Sequence, residues 1–282
     1  MTILITGGTG RTGLKLAHLL SKAGHTILLT SRKGQVPHPF KGVKFDWLDP
    51  STFTNPFNAD RAIDRVYVVG PVGVFDTLPH VKPFIDLAVT KGVKRFVVLS
   101  ASVIPKGGPV AGKVHEYLEK IGVDYAVLRP TLFMENFSTG PVTPNSIRLR
   151  NEIGSVAKDG RVAFVSVDDI AKAASDALLV KKSWNTDRYI VGPELLSYDE
   201  VAALLSQVLG RKITHKRLTP DESLSIWTTV GGLTVGLAKA LIKTQTEIAN
   251  GAEVAVFENA NKIVGKTHLR EFFESNPKLW VI

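Results

Sequence analysis

The sequence predicts an α/β fold of the Rossmann type: a doubly wound parallel sheet with a smaller, mostly helical substrate-facing part. Three observations predict it. Short apolar runs without polar alternation recur through the first 130 residues, separated by segments with helical spacing, as in a sheet covered on both faces. The first run ends in a glycine-rich turn that opens the first helix. The length, 282 residues, is more than one simple core needs and less than two full-sized domains occupy.

In order, strands are expected at Thr2–Thr6, His25–Ser31, Val43–Asp46, Arg65–Val69, Arg95–Ser100 and Tyr125–Leu128. Each is a short run dense in Val, Ile, Leu or aromatic residues. Between them, Thr12–Lys22 gathers Leu14, Ala17, Leu19 and Leu20 toward one side. Thr77–Thr90 carries Leu78, Val81, Phe84, Ile85 and Ala88 at helical spacing, and Lys113–Ile121 is the third helix. After Pro130 the rhythm changes, because Pro130, Pro141 and Pro144 break the alternation. Helices follow at Asp169–Leu179 and Tyr198–Leu209, with Asp168 or Ser197 as caps, and over Asp221–Gly251 with an interruption at Gly231-Gly232. These breaks place a dinucleotide-binding domain at 1–130 and the substrate-facing part at 131–282, interleaved with the sheet domain.

Composition removes several classes of function. With no cysteine, disulfides, thiolate nucleophiles and cysteine metal sites are excluded. No apolar run approaches the roughly 18 residues of a membrane span, and Met-Thr-Ile-Leu-Ile-Thr lacks a basic leader, so a cytoplasmic enzyme without a membrane partner is expected. The net charge of +9 comes from Lys and Arg in ones and twos, which suits a phosphate-bearing ligand better than nucleic acid. His18, His25, His80, His115 and His215 show no ligand spacing, so no metal is expected.

Gly7, Gly10 and Gly13 lie in Thr6-Gly7-Gly8-Thr9-Gly10-Arg11-Thr12-Gly13, between the first strand and the first helix. In this context the first glycine permits a tight turn, the second lets backbone approach a pyrophosphate, and the third lets helix and strand pack closely. The pyrophosphate would sit on the free N–H groups at Arg11, Thr12 and Gly13. The second strand ends in Leu29-Thr30-Ser31-Arg32-Lys33-Gly34, without the carboxylate that holds a ribose 2′-hydroxyl in NAD sites. Ser31, Arg32 and Lys33 instead suit a 2′-phosphate, which points to NADP(H). Asp46 and Trp47 follow the third strand, where Trp47 either lines an adenine pocket or simply packs. Gly70 and Pro71 follow the fourth strand, and Ser100, Ala101 and Ser102 follow the fifth, where they should face the nicotinamide.

The glycine loop, Phe45-Asp46-Trp47-Leu48-Asp49, Gly112-Lys113-Val114-His115-Glu116-Tyr117-Leu118 and Leu128-Arg129-Pro130-Thr131-Leu132-Phe133-Met134-Glu135-Asn136-Phe137 together resemble the NmrA-like branch of the atypical short-chain dehydrogenases. Within it the likeness is to the fungal reductases of clavine alkaloid biosynthesis, and it runs nearly end to end, through Asn250-Gly251-Ala252-Glu253. The resemblance implies an NADP-dependent oxidoreductase acting on a C=N carbon of an indole-alkaloid intermediate. Short-chain dehydrogenases place a proton-donating Tyr four residues before a Lys. Counting back from Lys113 gives Pro109, so that pair is missing. The lone Lys of some NmrA-like reductases aligns with Ala111, and two helical positions correspond to about 200° of rotation.

Lys113 and Tyr117 are therefore candidate catalytic residues or surface residues. Carbonyl reduction needs a proton from a positioned acid, whereas hydride addition to an iminium neutralises an existing charge and needs none. Phe133, Met134, Asn136 and Phe137 are candidates for holding a flat cationic indole alkaloid, with core packing as the competing reading. Two further functions stay open: an NADP(H)-bearing cyclase with little net redox change, and a non-catalytic NADP-sensing regulator.

Overall fold

The structure is a computed structural model that describes residues 1–280. The chain forms two compact units. One is Met1–Pro130 together with Val167–Tyr189; the other is Thr131–Ser166 together with the chain from Ile190 onward. The chain passes from one unit to the other after Pro130, and residues 167–189 return to the first.

The first unit starts with β1 (Thr2–Ile5), α1 (Arg11–Lys22), β2 (Thr26–Ser31), β3 (Lys41–Lys44) and α2 (Asn55–Ala59). It continues through β4 (Ile63–Val68), α3 (Leu78–Thr90), β5 (Arg95–Leu99), α4 (Ala111–Ile121) and β6 (Asp124–Pro130). The second unit's first segment then holds α5 (Thr143–Arg150), β7 (Glu152–Ser155) and β8 (Arg161–Val162). The chain re-enters the first unit with α6 (Val167–Leu179) and β9 (Thr186–Val191). The remainder is β10 (Leu196–Ser197), α7 (Tyr198–Leu209), β11 (Thr214–Arg217), α8 (Pro220–Thr229), α9 (Val235–Ala249), α10 (Ala252–Glu258), β12 (Lys262–Val264) and α11 (Leu269–Glu274).

From β9 inward the strands run β9-β6-β5-β4-β1-β2-β3. The pairs from β6 to β3 are all parallel. The order reverses between β1 and β4, which is the switch point outside whose carboxyl ends a doubly wound sheet binds its ligand. Ile3, Leu4, Ile5, Val66, Phe96 and Val97 are fully buried, which explains why these strands read as unbroken apolar runs. Phe45, Trp47, Phe53 and Phe84 form an aromatic cluster within this core, mostly edge-to-face, with Phe45 and Phe53 stacked.

Residues 167–189 are drawn back by specific contacts. Lys15 of α1 meets Asp168 at the start of α6 at 3.0 Å. The guanidinium of Arg95, only 5% exposed as a residue, donates to the carbonyl of Leu178 at 3.2 Å and pairs with Asp124 at 3.0 Å. A cation at the carboxyl end of a helix meets the carbonyls that the helix leaves unpaired. Asp168 lies inside the first turn of α6 and not at the cap. Ser197 does cap α7, in a reciprocal box with Glu200.

The second unit has its own core. Met134, Phe137, Phe164, Tyr198, Phe273 and Trp280 are buried together, and the parallel pair β7–β11 and the antiparallel pair β8–β10 brace it. The helical stretch expected over 221–251 is broken at Gly231-Gly232, with α8 ending at Thr229 and Thr234 capping α9.

Candidate functional site

The glycine loop leaves β1 toward α1 at the switch point. Gly7 has φ +62°, which a side chain would oppose, and its carbonyl accepts the N–H of Gly10 at 2.8 Å. A Cβ on Gly13 would stand 2.4 Å from that same carbonyl oxygen, so α1 approaches the loop as closely as it does only because Gly13 has no side chain. Gly10 is the N-cap of α1 and makes no side-chain cap, and the first turn contains no acidic residue. The first-turn N–H groups and the positive end of the helix are thus available to an anion. Arg11 is exposed beside them. Thr12 is 4% exposed and its side chain meets the buried Tyr67, which turns the hydroxyl toward the core.

Sequence reasoning missed two supports of this loop. Gly8 lies so close to β2 that a Cβ would be 2.7 Å from the Leu29 Cβ. The hydroxyl of Thr6 donates to the Tyr67 carbonyl at 3.0 Å and accepts the Val69 N–H at 2.8 Å, locking the end of β1 to the end of β4. The signal was the threonine before the first glycine, a side chain that can bridge two backbones at a sheet's end.

Arg32 and Lys33 at the end of β2 are exposed and make no hydrogen bond or ion pair among the described residues. The Ser31 hydroxyl donates to the Gln35 carbonyl at 2.7 Å and shapes this turn. No carboxylate follows β2 directly, so the turn offers two exposed cations, while the Ser31 proton is engaged within it. Asp46 is engaged locally, its carboxylate accepting the Leu48 N–H at 3.0 Å. Trp47 is 8% exposed within the aromatic cluster, and its indole N–H donates to the Val69 carbonyl at 2.8 Å. The structure thus gives Trp47 the packing role of the two left open, while its N–H holds the backbone before Gly70 and Pro71. Both of these residues keep partial exposure at the end of β4.

Ser100 and Ala101 are partly exposed past β5, whereas Ser102 is 6% exposed. Lys113 and Tyr117 sit one turn apart on α4, and both polar ends are occupied. Lys113 pairs with Asp76 at 3.1 Å. The Tyr117 hydroxyl donates to Asp86 of α3, beneath the Lys82 ammonium 5.0 Å from its ring. Burial first, and the Asp86 carboxylate second, push the Tyr117 phenol up, making it a weaker acid than free tyrosine. Just before α4, Val110 holds φ +53°, costly for a β-branched residue, and its N–H donates to the Phe75 carbonyl at 2.7 Å. That bond ties the loop after β4 to the start of α4.

The second unit, taken by itself, corrects part of the substrate reading. Met134 and Phe137 are 0% and 2% exposed, and Phe137 meets Phe164 at 5.1 Å and Phe273 at 5.7 Å. They fill the core because the short 3-10 turn over Met134–Phe137 directs them inward. Phe133 is partly exposed and bridges to Val165, and Asn136 is exposed. No group of three or more metal-ligating side chains is assembled among the described residues. No helix there is long and apolar enough to cross a membrane.

A model of the NmrA-like family matches residues 1–254. Agroclavine dehydrogenase of Claviceps fusiformis is 41% identical, over 100% of this chain and 99% of its own length. Festuclavine synthase II of Penicillium roqueforti is 37% identical, over 99% of this chain and 100% of its own. Among solved structures, the Citrobacter triphenylmethane reductase complexed with NADP(H) superposes with a TM-score of 0.76 at 21% identity, covering 97% of this chain and 99% of that one.

Proposed function

The chain belongs to the NmrA-like family and is an oxidoreductase, and from that premise we propose that it is an NADP(H)-dependent reductase that acts on the imine or iminium carbon of an indole-alkaloid intermediate. The observation that carries the proposal is the pairing, in one unit, of an uncapped α1 N-terminus with the carboxylate-free turn at Arg32 and Lys33. The chemistry of these residues suits the dinucleotide, with helix N–H groups for one phosphate and exposed cations for another. The backbone N–H groups at Arg11, Thr12 and Gly13 would hold the pyrophosphate, and Arg32 and Lys33 the 2′-phosphate, on a turn shaped by Ser31. The turn at Gly70-Pro71 and the segment Ser100–Ser102 flank the nicotinamide half. The support for the alkaloid class is the end-to-end likeness to enzymes named for agroclavine and festuclavine.

When bound, the cofactor supplies a hydride. The chain's own part is to hold the two reactants in register and exclude water. A cationic C=N+ carbon that accepts a hydride becomes a neutral amine, so charge balances with no proton delivered in that step. This matches a helix α4 whose Lys113 and Tyr117 are both committed to acidic partners. Phe133 and Asn136 are the candidates for substrate contact in the second unit, whose core holds the neighbouring Met134 and Phe137.

Purified protein incubated with NADPH and a clavine-type iminium tests the proposal. The expected result is stoichiometric loss of NADPH absorbance with formation of the reduced amine. A rearranged carbon skeleton with NADPH unconsumed would identify a cyclase, and tight NADPH binding with unchanged substrate would identify a regulator.

A further inference from the structure

We propose that Arg129 is a positioning residue for the nicotinamide half of the cofactor; this rests on the NADP(H) reading above. The sheet order puts the ends of β4, β5 and β6 on one side of the switch point and those of β1, β2 and β3 on the other. A dinucleotide laid across the switch point has its adenosine half over the β1–β2 side, so its nicotinamide half lies over the ends of β4 and β5. The segment Ser100–Ser102 is the chain that leaves β5 there.

Arg129, near the end of β6, holds that segment by its backbone. Its side chain is 11% exposed. One terminal nitrogen donates to the Ser102 carbonyl at 2.6 Å, the other to the Asp187 carboxylate at 2.8 Å, and Nε approaches the Ala101 carbonyl at 3.4 Å. The guanidinium also lies 4.4 Å from the centre of the Tyr189 ring. The backbone adds two bonds from the same segment to β6, Ser100 N–H to Leu128 and Ser102 N–H to Pro130, each 2.8 Å.

A guanidinium this buried is costly unless its charge is balanced and its donors are used. Asp187 supplies the balance. Burial works to raise its carboxyl, but Arg129 outweighs burial and holds it below the usual carboxylate range. With two successive carbonyls drawn toward one rigid fork, the turn beside the nicotinamide has a single orientation. Lysine could satisfy the charge but not the fork. The adenosine half depends on other contacts, at α1 and the end of β2, and is independent of Arg129.

The test compares 2′,5′-ADP, which reports the adenosine half alone, with NADPH, titrated into wild type, Arg129→Gln, Arg129→Lys and Asp187→Asn. The expected result for Arg129→Gln is 2′,5′-ADP affinity within about two-fold of wild type and NADPH affinity lower by roughly ten-fold, the scale of one lost charge-assisted contact. Arg129→Lys should recover part of the loss, and Asp187→Asn should shift the same ratio less. If Arg129→Gln does not fold, Arg129→Lys, which keeps the charge and gives up the fork, serves for the same comparison. Equal loss of both ligands would make Arg129 a staple of the fold, and an unchanged ratio would give it no part in the site; either overturns this inference alone. A wild-type protein that binds neither ligand overturns the cofactor reading and this inference with it.

Discussion

In the proposed cofactor site, Arg32 is the residue expected to set the choice between NADPH and NADH. It is exposed and makes no hydrogen bond or ion pair among the described residues, so its removal leaves the fold untouched and subtracts only what it gives a ligand. A charge-assisted contact to a 2′-phosphate is worth about 1.5–3 kcal/mol, which is roughly ten- to a hundred-fold in affinity. Arg32→Ala should lose that much for NADPH and almost nothing for NADH, as titration of both cofactors would show. Equal loss for the two would mean that Arg32 does not read the phosphate. At this scale the glycine loop was legible from sequence because each glycine answers a local steric demand. Trp47 and Thr12 were not, since whether a side chain faces a ligand or the core depends on the aromatic cluster and on Tyr67, which are distant in sequence. Arg129 stood within a quoted motif, yet its partners Ala101, Ser102 and Asp187 converge only in the folded chain.

At the level of elements, the six expected strands of the first unit and the four expected helices α1, α3, α4 and α6 all form, with ends displaced by a few residues. Strong apolar runs mark them. The seventh, β9, was not expected. Its Thr-Asp-Arg-Tyr-Ile-Val mixes polar and apolar residues, and Asp187, Arg188 and Tyr189 retain partial exposure, so it lacks the buried-strand signature. The short pairs β7–β11 and β8–β10 were also unread, because strands of two to four residues carry no period. The turn over Met134–Phe137 supplies a prediction at this scale. Phe137→Ala should empty an aromatic core position and destabilise the protein by about 3–5 kcal/mol, while Phe133→Ala should change stability much less. Thermal melting of the two variants checks it. A Phe137→Ala protein that melts like wild type but has a raised substrate KM would restore Phe137 to the substrate.

Across the whole molecule, two buried histidines are expected to make stability sensitive to mild acid. His115 is 4% exposed, and burial lowers its pKa more than Asp187 and Glu119 raise it, with Lys106 and Arg129 adding to the lowering. The His215 side chain is fully buried, with Nε2 at 2.8 Å from the Ser155 hydroxyl, and burial again outweighs Asp199 and Asp159, helped by Arg217. Each is therefore neutral when folded and takes up a proton more readily when unfolded. Their contribution to stability is complete above the unfolded pKa of about 6.5 and is lost as pH falls from there toward the lowered folded value. Carboxylates with lowered values, such as Asp187 and Glu200, contribute above the unfolded carboxylate pKa of about 4, and lose that contribution only below it. The melting temperature should accordingly fall between pH 7 and 5 in the wild type, and the slope should flatten in a His115→Gln, His215→Gln double variant. An unchanged slope would show that these histidines are not the groups that titrate.

Reduction of a cationic carbon with no side chain donating a proton leaves its mark on the single-turnover rate of NADPH oxidation with an iminium substrate. The rate is measured across pH in wild type, Lys113→Ala and Tyr117→Phe, with deuterated cofactor to establish that the observed step is hydride transfer. The account predicts less than roughly ten-fold loss in either variant, below the 10²–10⁴-fold typical of a missing general acid, and a rate nearly flat wherever the substrate stays cationic. A hundred-fold loss, or a steep pH dependence abolished with one of these two side chains, would contradict it.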